Sequence, residues 1–381
     1  DCGSGNSPTN IASTRLWYCE FDHPVQASRA NRATVVLHLR LAKNNFLIRL
    51  THWEYWPFGI IQFPFFIYYL YLAAKARSLL FFTASNPAIP MGGMLGESKH
   101  DILLKLPSEV NPRAVLIKLP TTRAQILSAL ASSGLRFPVI FKPDLGERGY
   151  MVRRINHEDE IDAYLHQVPG NFIIQEFVDL PMEFGVFYRR FTDEASGCVT
   201  SIVMKEMLHV VGDGSRTLRE LVLTNDRARL QFEKLKVTYA DQLTNVPQAG
   251  KRIELVSIGN HCLGTKFLNG NHLITPRLSE AFDRISKQIE GFYFGRFDLR
   301  CASLDDLAAG RVMVMELNGC GAEPAHIYQP GFPLWKALGV LYRHWSDMYT
   351  ISRQNHRRGV SYTSLQEGLA YYRKFKAAIR S

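Results

Sequence analysis

Apolar and polar positions alternate in two short runs late in the chain, FGRFDLR from Phe294 and RVMVMELNG ending at Gly319, separated by ten residues. Alternation of this kind predicts half-buried strands. In the first run Arg296, Asp298 and Arg300 share a face; in the second Glu316 and Asn318 do. An antiparallel hairpin turning near Asp306–Leu307 sets Asp298 opposite Glu316, with side chains roughly 5 Å apart. Two carboxylates that close repel, unless a divalent cation lies between them. Hard oxygen ligands suit magnesium, which takes one or two carboxylates plus substrate phosphates. The alternative is a surface hairpin whose acids pair with Arg296 and Arg300.

The same reading predicts further elements. Upstream are a short strand over 114–118, a helix over 122–132 capped by Thr121 or Thr122 with Gly134 after it, and a buried strand from Phe137. A helix over 158–167, strands over 171–178 and 184–191, a strand region over 199–211 and a helix start at 218–224 follow. Residues 226–250 read as helix or loop, 252–258 as strand, and 276–291, 334–347 and a basic 365–379 as helices. Mixed strands and helices with several hairpins indicate an α+β or α/β ligand-binding fold.

One stretch breaks this rhythm. From Pro57 to Ala74 only Gln62 is strongly polar, with Trp53, Tyr55 and Trp56 before the run and Lys75 and Arg77 after it. That length is at the lower edge of a bilayer span, about 20 residues. The aromatic and cationic flanks resemble interfacial anchors. Pro57 and Pro64 are expected to shorten the uninterrupted helix, so an interfacial or re-entrant helix is favoured over a buried soluble helix or a full span. Residues 34–50 are mixed apolar and basic, and 1–32 show no periodicity, which predicts a poorly packed lead; no signal peptide is visible.

Composition narrows the partners. The 381 residues are enough for two or three domains, and the formal charge of +10 favours phosphates or an anionic membrane surface. The basic residues are spread along the chain, which argues against nucleic acid. Six cysteines without CxxC or zinc spacing read as free thiols in a reducing compartment.

A second series of residues precedes the hairpin. FKPDLGERGYMV ends a buried strand with Lys142 and continues into a glycine-containing loop, a way to hold a polyphosphate. QEFVDLPMEFGVF then brings Glu183 after a short connector, and SIVMKE brings Lys205 before VVGDGSRTLREL. GGMLGESK lacks the order of a phosphate loop and reads as a substrate-side or linker loop. His326 is more readily a structural histidine than a base.

Over residues 136–330 this order resembles the ATP-grasp superfamily, in particular the D-alanine–D-alanine ligase and cyanophycin synthetase branch. The resemblance implies an α+β ATP-grasp fold, two subdomains gripping a nucleotide, with a divergent N-terminal region carrying the apolar helix. It implies that Lys142 and Lys205 contact ATP phosphates while the loop Asp144–Tyr150, with Asp144, Gly146, Arg148 and Gly149, closes over them. Glu176, Phe177 and Val178 would line the adenine pocket and Glu183 would hold the ribose. Asp298, Glu316 and Asn318 would ligate two magnesium ions, or manganese, with Arg296 and Lys205 as the catalytic cations. After Asn318 the ligases carry a Ser/Thr-Pro-Gly run, whereas this chain has GCGAEPAHIY.

The expected organisation is a lead at 1–50, the apolar segment at 51–82, a linker or substrate-side region at 83–135, the ATP-grasp domain at 136–345 and a basic helix at 346–381. The implied activity is ATP- and magnesium-dependent ligation of a small-molecule carboxylate to an amine through an acyl phosphate, in the cytoplasm, peripheral at the inner face of the membrane. The rivals are phosphoryl transfer to another acceptor and a membrane-attached nucleotide-binding protein without turnover. The sequence names no substrate and no oligomeric state.

Overall fold

Two antiparallel sheets organise the computed structural model, which describes residues 45–378 apart from 57, 147–148, 257–258 and 260–263. The described residues of 45–378 belong to one compact unit. The expectations for the lead, for Arg148 and for Cys2, Cys19 and Cys262 fall outside the described residues.

The first sheet holds β1 (Ala114–Ile117), β2 (Val139–Pro143), β3 (Arg153–Ile155) and β4 (Phe172–Glu176) in the order β1-β4-β2-β3. Strand β1 thus comes from the stretch between 83 and 135. The second sheet is built on β5 (Met182–Arg189) and β6 (Cys198–Glu206), where the expected strand region 199–211 divides. Its remainder forms β7 (His209–Val211), which leaves the sheet to pair with β8 (Arg252–Glu254). Strand β9 (Lys266–Asn269), β10 (Phe294–Cys301) and β11 (Met313–Asn318) complete the order β11-β10-β5-β6-β9. The run KFLN of β9 is too short and too polar to announce itself by alternation.

In chain order the helices are α1 (Asn45–Thr51), α2 (Phe58–Ala76), α3 (Lys99–Leu103), α4 (Arg123–Ser132), α5 (Glu160–Leu165) and α6 (Leu218–Thr224). They continue with α7 (Asp226–Leu230), α8 (Phe232–Thr238), α9 (Pro276–Lys287), α10 (Leu304–Ala309), α11 (Leu334–Arg357) and α12 (Leu365–Ala378). Helix α4 starts at a full capping box, Thr122 with Gln125, as the sequence suggests.

Three expectations change. The apolar helix α2 runs unbroken through Pro64, which lies on its exposed side, where the carbonyl of Ile60 loses only one partner. The hairpin connection contains a helical turn, α10, capped by Ser303 and closed by left-handed Gly310 at φ 74°. Helix α11 continues ten residues past Asp347, because Met348, Ile351 and Asn355 bury against the 81–85 turn, with the Asn355 amide donating to the Ala84 carbonyl.

Period-two alternation gives the second sheet two unlike faces. Phe184, Val186 and Tyr188 of β5 and Phe297, Leu299 and Cys301 of β10 pack against Leu278, Phe282 and Ile285 of α9. On the opposite face, Phe187 and Phe294 are covered by His344 and Met348 of α11. The remainder of that face carries charge.

Candidate active site between the sheets

The charged face is set by register. Strand pairing places Arg300 beside Glu183, Asp298 beside Gly185, Asp298 opposite Glu316 and Arg296 opposite Asn318. Gly185 has to be glycine: a Cβ there would stand 3.0 Å from Asp298 Oδ1 and 2.7 Å from Val203. The space it leaves holds a chain of ion pairs. Arg296 grips Asp298 through two hydrogen bonds, Nε to Oδ1 at 3.1 Å and Nη2 to Oδ2 at 2.9 Å. Lys205 Nζ lies 3.3 Å from Asp298 Oδ1 and 3.2 Å from Glu183 Oε1. Arg300 donates to Glu183 Oε2 at 2.9–3.0 Å and to the Val178 carbonyl at 3.1 Å. The Asn318 amide donates to Asp298 Oδ2 at 3.1 Å.

Lys205, Glu183 and Asp298 are each less than a tenth exposed. Burial alone raises a carboxyl's pKa, yet Arg296 and Lys205 hold Asp298 below the usual carboxylate range. Burial lowers Lys205 and Arg296, and the carboxylates more than offset this, so both stay raised. Three cations face two carboxylates here, and Glu316 brings a third. Glu316 has no hydrogen bond or ion pair among the described residues, although Lys142 feels its charge.

Lys142 comes from the other sheet. It leaves β2 buried and donates to the Met315 carbonyl of β11 at 3.0 Å, beside the Gln175 amide at 3.3 Å. Burial pulls its pKa down to about 8, against the pull of Glu316. The following loop is anchored by the segment the sequence marked as a linker. Asp144 Oδ1 accepts from Ser98 Oγ and the His100 amide, both at 2.9 Å. Lys99 Nζ donates to the Asp144 and Gly146 carbonyls, and its charge helps to lower Lys142. No spacing in the sequence ties Lys99 to Lys142; the capping serine Ser98 before a short helix is the available signal.

The same segment closes the other end. Gly92 and Gly93 accept from the amides of Cys320 and Gly321 at 3.0 and 2.9 Å, directly after Asn318. Glycine faces glycine, since a Cβ on Gly93 would lie 2.6 Å from Gly319 Cα. Buried Asn86 fixes this contact, donating to the Gly92 and Phe294 carbonyls and accepting from the Tyr293 and Phe294 amides. Arg296 Nη1 reaches the Glu323 carbonyl at 3.2 Å; the Glu323 carboxylate accepts from Tyr328 and from Gln62, the polar residue of α2.

Other expected residues are engaged elsewhere. Glu176 pairs with Arg113, its amide donates to the Arg113 carbonyl, and the Arg154 guanidinium stands 4.1 Å from the Phe177 ring centre. Both Glu183 oxygens are taken by cations, and Gly259 packs on them: a Cβ there would fall 1.9 Å from Oε1. Gly149 has a left-handed φ of 71°. His326 is buried against Ser201 Oγ at 2.6 Å and Phe332, and burial lowers its pKa to about 4, which makes it a neutral packing residue. The surface-hairpin alternative holds only for Arg296; Arg300 serves Glu183 and not Glu316.

No cluster of three or more acidic, histidine or cysteine side chains able to hold a metal occurs among the described residues. The donors present are two carboxylates across a hairpin, one without a side-chain partner among the described residues, and an amide oxygen. That set fits magnesium completed by phosphate oxygens, which asks for only one or two carboxylates.

No family model and no curated protein matches the chain. Solved structures do. A bifunctional glutathione synthetase from Pasteurella multocida is 14% identical over 65% of this chain and 36% of its own, with a TM-score of 0.34. The VanG D-Ala:D-Ser ligase from Enterococcus faecalis is 13% identical over 61% and 56%, also at 0.34. D-alanine–D-alanine ligase from Bacillus anthracis complexed with ATP is 14% identical over 74% and 71%, at 0.36. These neighbours are ATP-grasp enzymes. The chain spans only 36–60% of the length of three of the structures it matches. The paired sheets and the charged face between them are what the functional reading is built on.

Proposed function

We propose that the protein is an ATP-dependent ligase joining a small-molecule carboxylate to an amine, with the charged face of the second sheet as its phosphoryl-transfer site. The observation that carries this reading is the convergence of Lys142 from one sheet with Lys205, Arg296, Asp298, Glu316 and Asn318 from the other. A scaffold has no use for two carboxylates facing each other across a hairpin, one of them without a side-chain partner among the described residues; a polyphosphate site with magnesium does.

In the reaction a carboxylate oxygen of the substrate attacks the γ-phosphorus and the bond to ADP breaks. The amine nitrogen then attacks the acyl carbon, loses a proton, and phosphate leaves as the C–N bond forms. Lys142 and Lys205 would neutralise phosphate charge, and Arg296 would face the charge developing on the transferred group. Arg296 must then loosen its grip on Asp298. Magnesium, or manganese, held by Asp298, Glu316 and Asn318 in one or two ions, would supply further charge neutralisation. The loop Asp144–Tyr150, with Gly146, Arg148 and Gly149, would cover the phosphates, steadied by Lys99. Glu176, Phe177 and Val178 would line the adenine pocket, and Glu183 would take the ribose hydroxyls by giving up one cation. Use of ATP puts the reaction in the cytoplasm.

Phosphoryl transfer to a non-carboxylate acceptor is the second reading, favoured by the GCG segment that closes against Gly92 and Gly93 where the ligases carry their Ser/Thr-Pro-Gly run. A screen for ADP release over amino acids, hydroxy acids and peptide precursors, with mass spectrometry of products, decides. An amide product with ADP supports the ligase; a phosphorylated product supports the second reading. Nucleotide binding without ADP release from any mixture leaves a binding protein and ends both.

A further inference from the structure

Helix α2 carries two apolar stripes. One, through Ile61, Phe65, Leu72 and Ala73, is buried against the body of the protein, largely on α11. The other faces outward: Ile60 is 58% exposed, Phe63 66%, Phe66 57%, Ile67 60%, Leu70 43% and Tyr71 55%. Steps of three and four residues keep these side chains on one face. Over Gly59–Ala76 the mean hydropathy is 1.2 and only 22% of the window is buried. A contiguous apolar face of this size marks a contact surface.

Charge selects what covers it. Helices α2, α11 and α12 together hold eight Lys and Arg against two acids, Asp347 and Glu367. Lys75 and Arg77 at the end of α2, and Lys336 and Arg343 on neighbouring α11, are exposed. A second copy docked face to face would oppose like charges, whereas an anionic lipid surface complements them. Exposed Trp335 and Tyr342 on α11 are of the residue types enriched at headgroup depth. We propose that the outward stripe of α2 seats the protein on an anionic bilayer, with the helix lying in the interface and not crossing it. Crossing would strip the inner stripe from α11 and break the hydrogen bond from Gln62 to Glu323. Gln62 also ties the docking helix to the residue whose carbonyl holds Arg296, so the bilayer and that end of the cleft share one helix.

The test uses the full chain without nucleotide, so its outcome does not depend on the ligase reading. The protein is sedimented with vesicles of phosphatidylcholine alone and with vesicles that also contain phosphatidylglycerol. Expected is pelleting with the anionic vesicles, weakened by salt, and about tenfold weaker partition for the exposed-face variant Phe63→Ser/Phe66→Ser/Ile67→Ser. Lys75→Glu/Arg77→Glu, which leaves the apolar face intact, is expected to lower the anionic preference by about the same order. No pelleting with either vesicle, or wild-type partition in both variants, overturns the proposal. A dimer in the ultracentrifuge that the serine variant abolishes, without vesicle binding, assigns the face to a second copy and overturns it too.

Discussion

Lys142 shows how burial opposes the proposed role of a single residue. Its folded pKa of about 8 lies below the ordinary lysine value of 10.5, because burial penalises the ammonium. Below pH 8 both folded and unfolded chains hold the proton, and the folded state bears the full cost. Between 8 and 10.5 the unfolded chain binds more protons, so stability rises with pH across that window. Lys142→Met is therefore expected to be more stable than wild type at pH 7 by about 2–3 kcal/mol, with the advantage shrinking toward pH 10. Urea unfolding of both proteins across pH 7–10 reads this directly; a constant difference would contradict it. The two hairpin carboxylates should behave differently. Asp298→Asn leaves Arg296 and Lys205 short of a counter-charge, at a cost on the order of 3–5 kcal/mol. Glu316→Gln removes only the charge felt by Lys142 and Arg296, with no hydrogen bond lost among the described residues, and should cost about 1 kcal/mol while abolishing ADP formation. Equal destabilisation of both variants would count against a metal role for Glu316.

At the scale of elements, the hairpin was readable from alternation alone: its register follows from which side chains must be buried, so Asp298 meets Glu316 as the pattern requires. The connection within it reads from alternation as a plain turn near Asp306–Leu307, although Ser303 and Gly310 signal a capped helical turn. The Gly92–Gly93 contact with Gly319–Gly321 was not readable, because two glycine pairs more than two hundred residues apart leave no periodic trace. It makes a sharp prediction. Gly93→Ala puts a Cβ 2.6 Å from Gly319 Cα at a φ of 78°, whereas at Gly331, φ 75°, a Cβ meets nothing within 4 Å. Both variants bear the left-handed penalty of roughly 1–2 kcal/mol. Only Gly93→Ala adds overpacking of about 1–3 kcal/mol, measurable as a lower urea midpoint than that of Gly331→Ala.

For the whole molecule, the two sheets meet through a shared apolar core, in which Ile173 of β4 and Leu116 of β1 cluster with Val314 and Leu317 of β11, and through Lys142 and Gln175 on the Met315 carbonyl. A nucleotide gripped between those sheets should stabilise both together. ATP with magnesium at a hundredfold excess over its dissociation constant is expected to add about 2.7 kcal/mol, seen as one raised thermal transition. An unchanged melting temperature at millimolar ATP would contradict the site. The outward face of the helical layer of α2, α11 and α12 does not touch the charged strands, and Gln62 links that layer to them through Glu323.

Local pattern by itself determined the hairpin, the strand-end Lys142, the Thr122 cap and the apolar helix, because alternation, capping chemistry and hydrophobic length act within a few residues. Tertiary structure decided the rest. Only folding brings Lys99 to the loop after Lys142, gives Glu183 to Arg300 and Lys205, seats Gly185 under Asp298 and turns one stripe of α2 outward. Each of these is a contact between distant parts of the chain. Such contacts are chosen by packing and charge compensation in three dimensions, for which a one-dimensional order of residues holds no spacing rule.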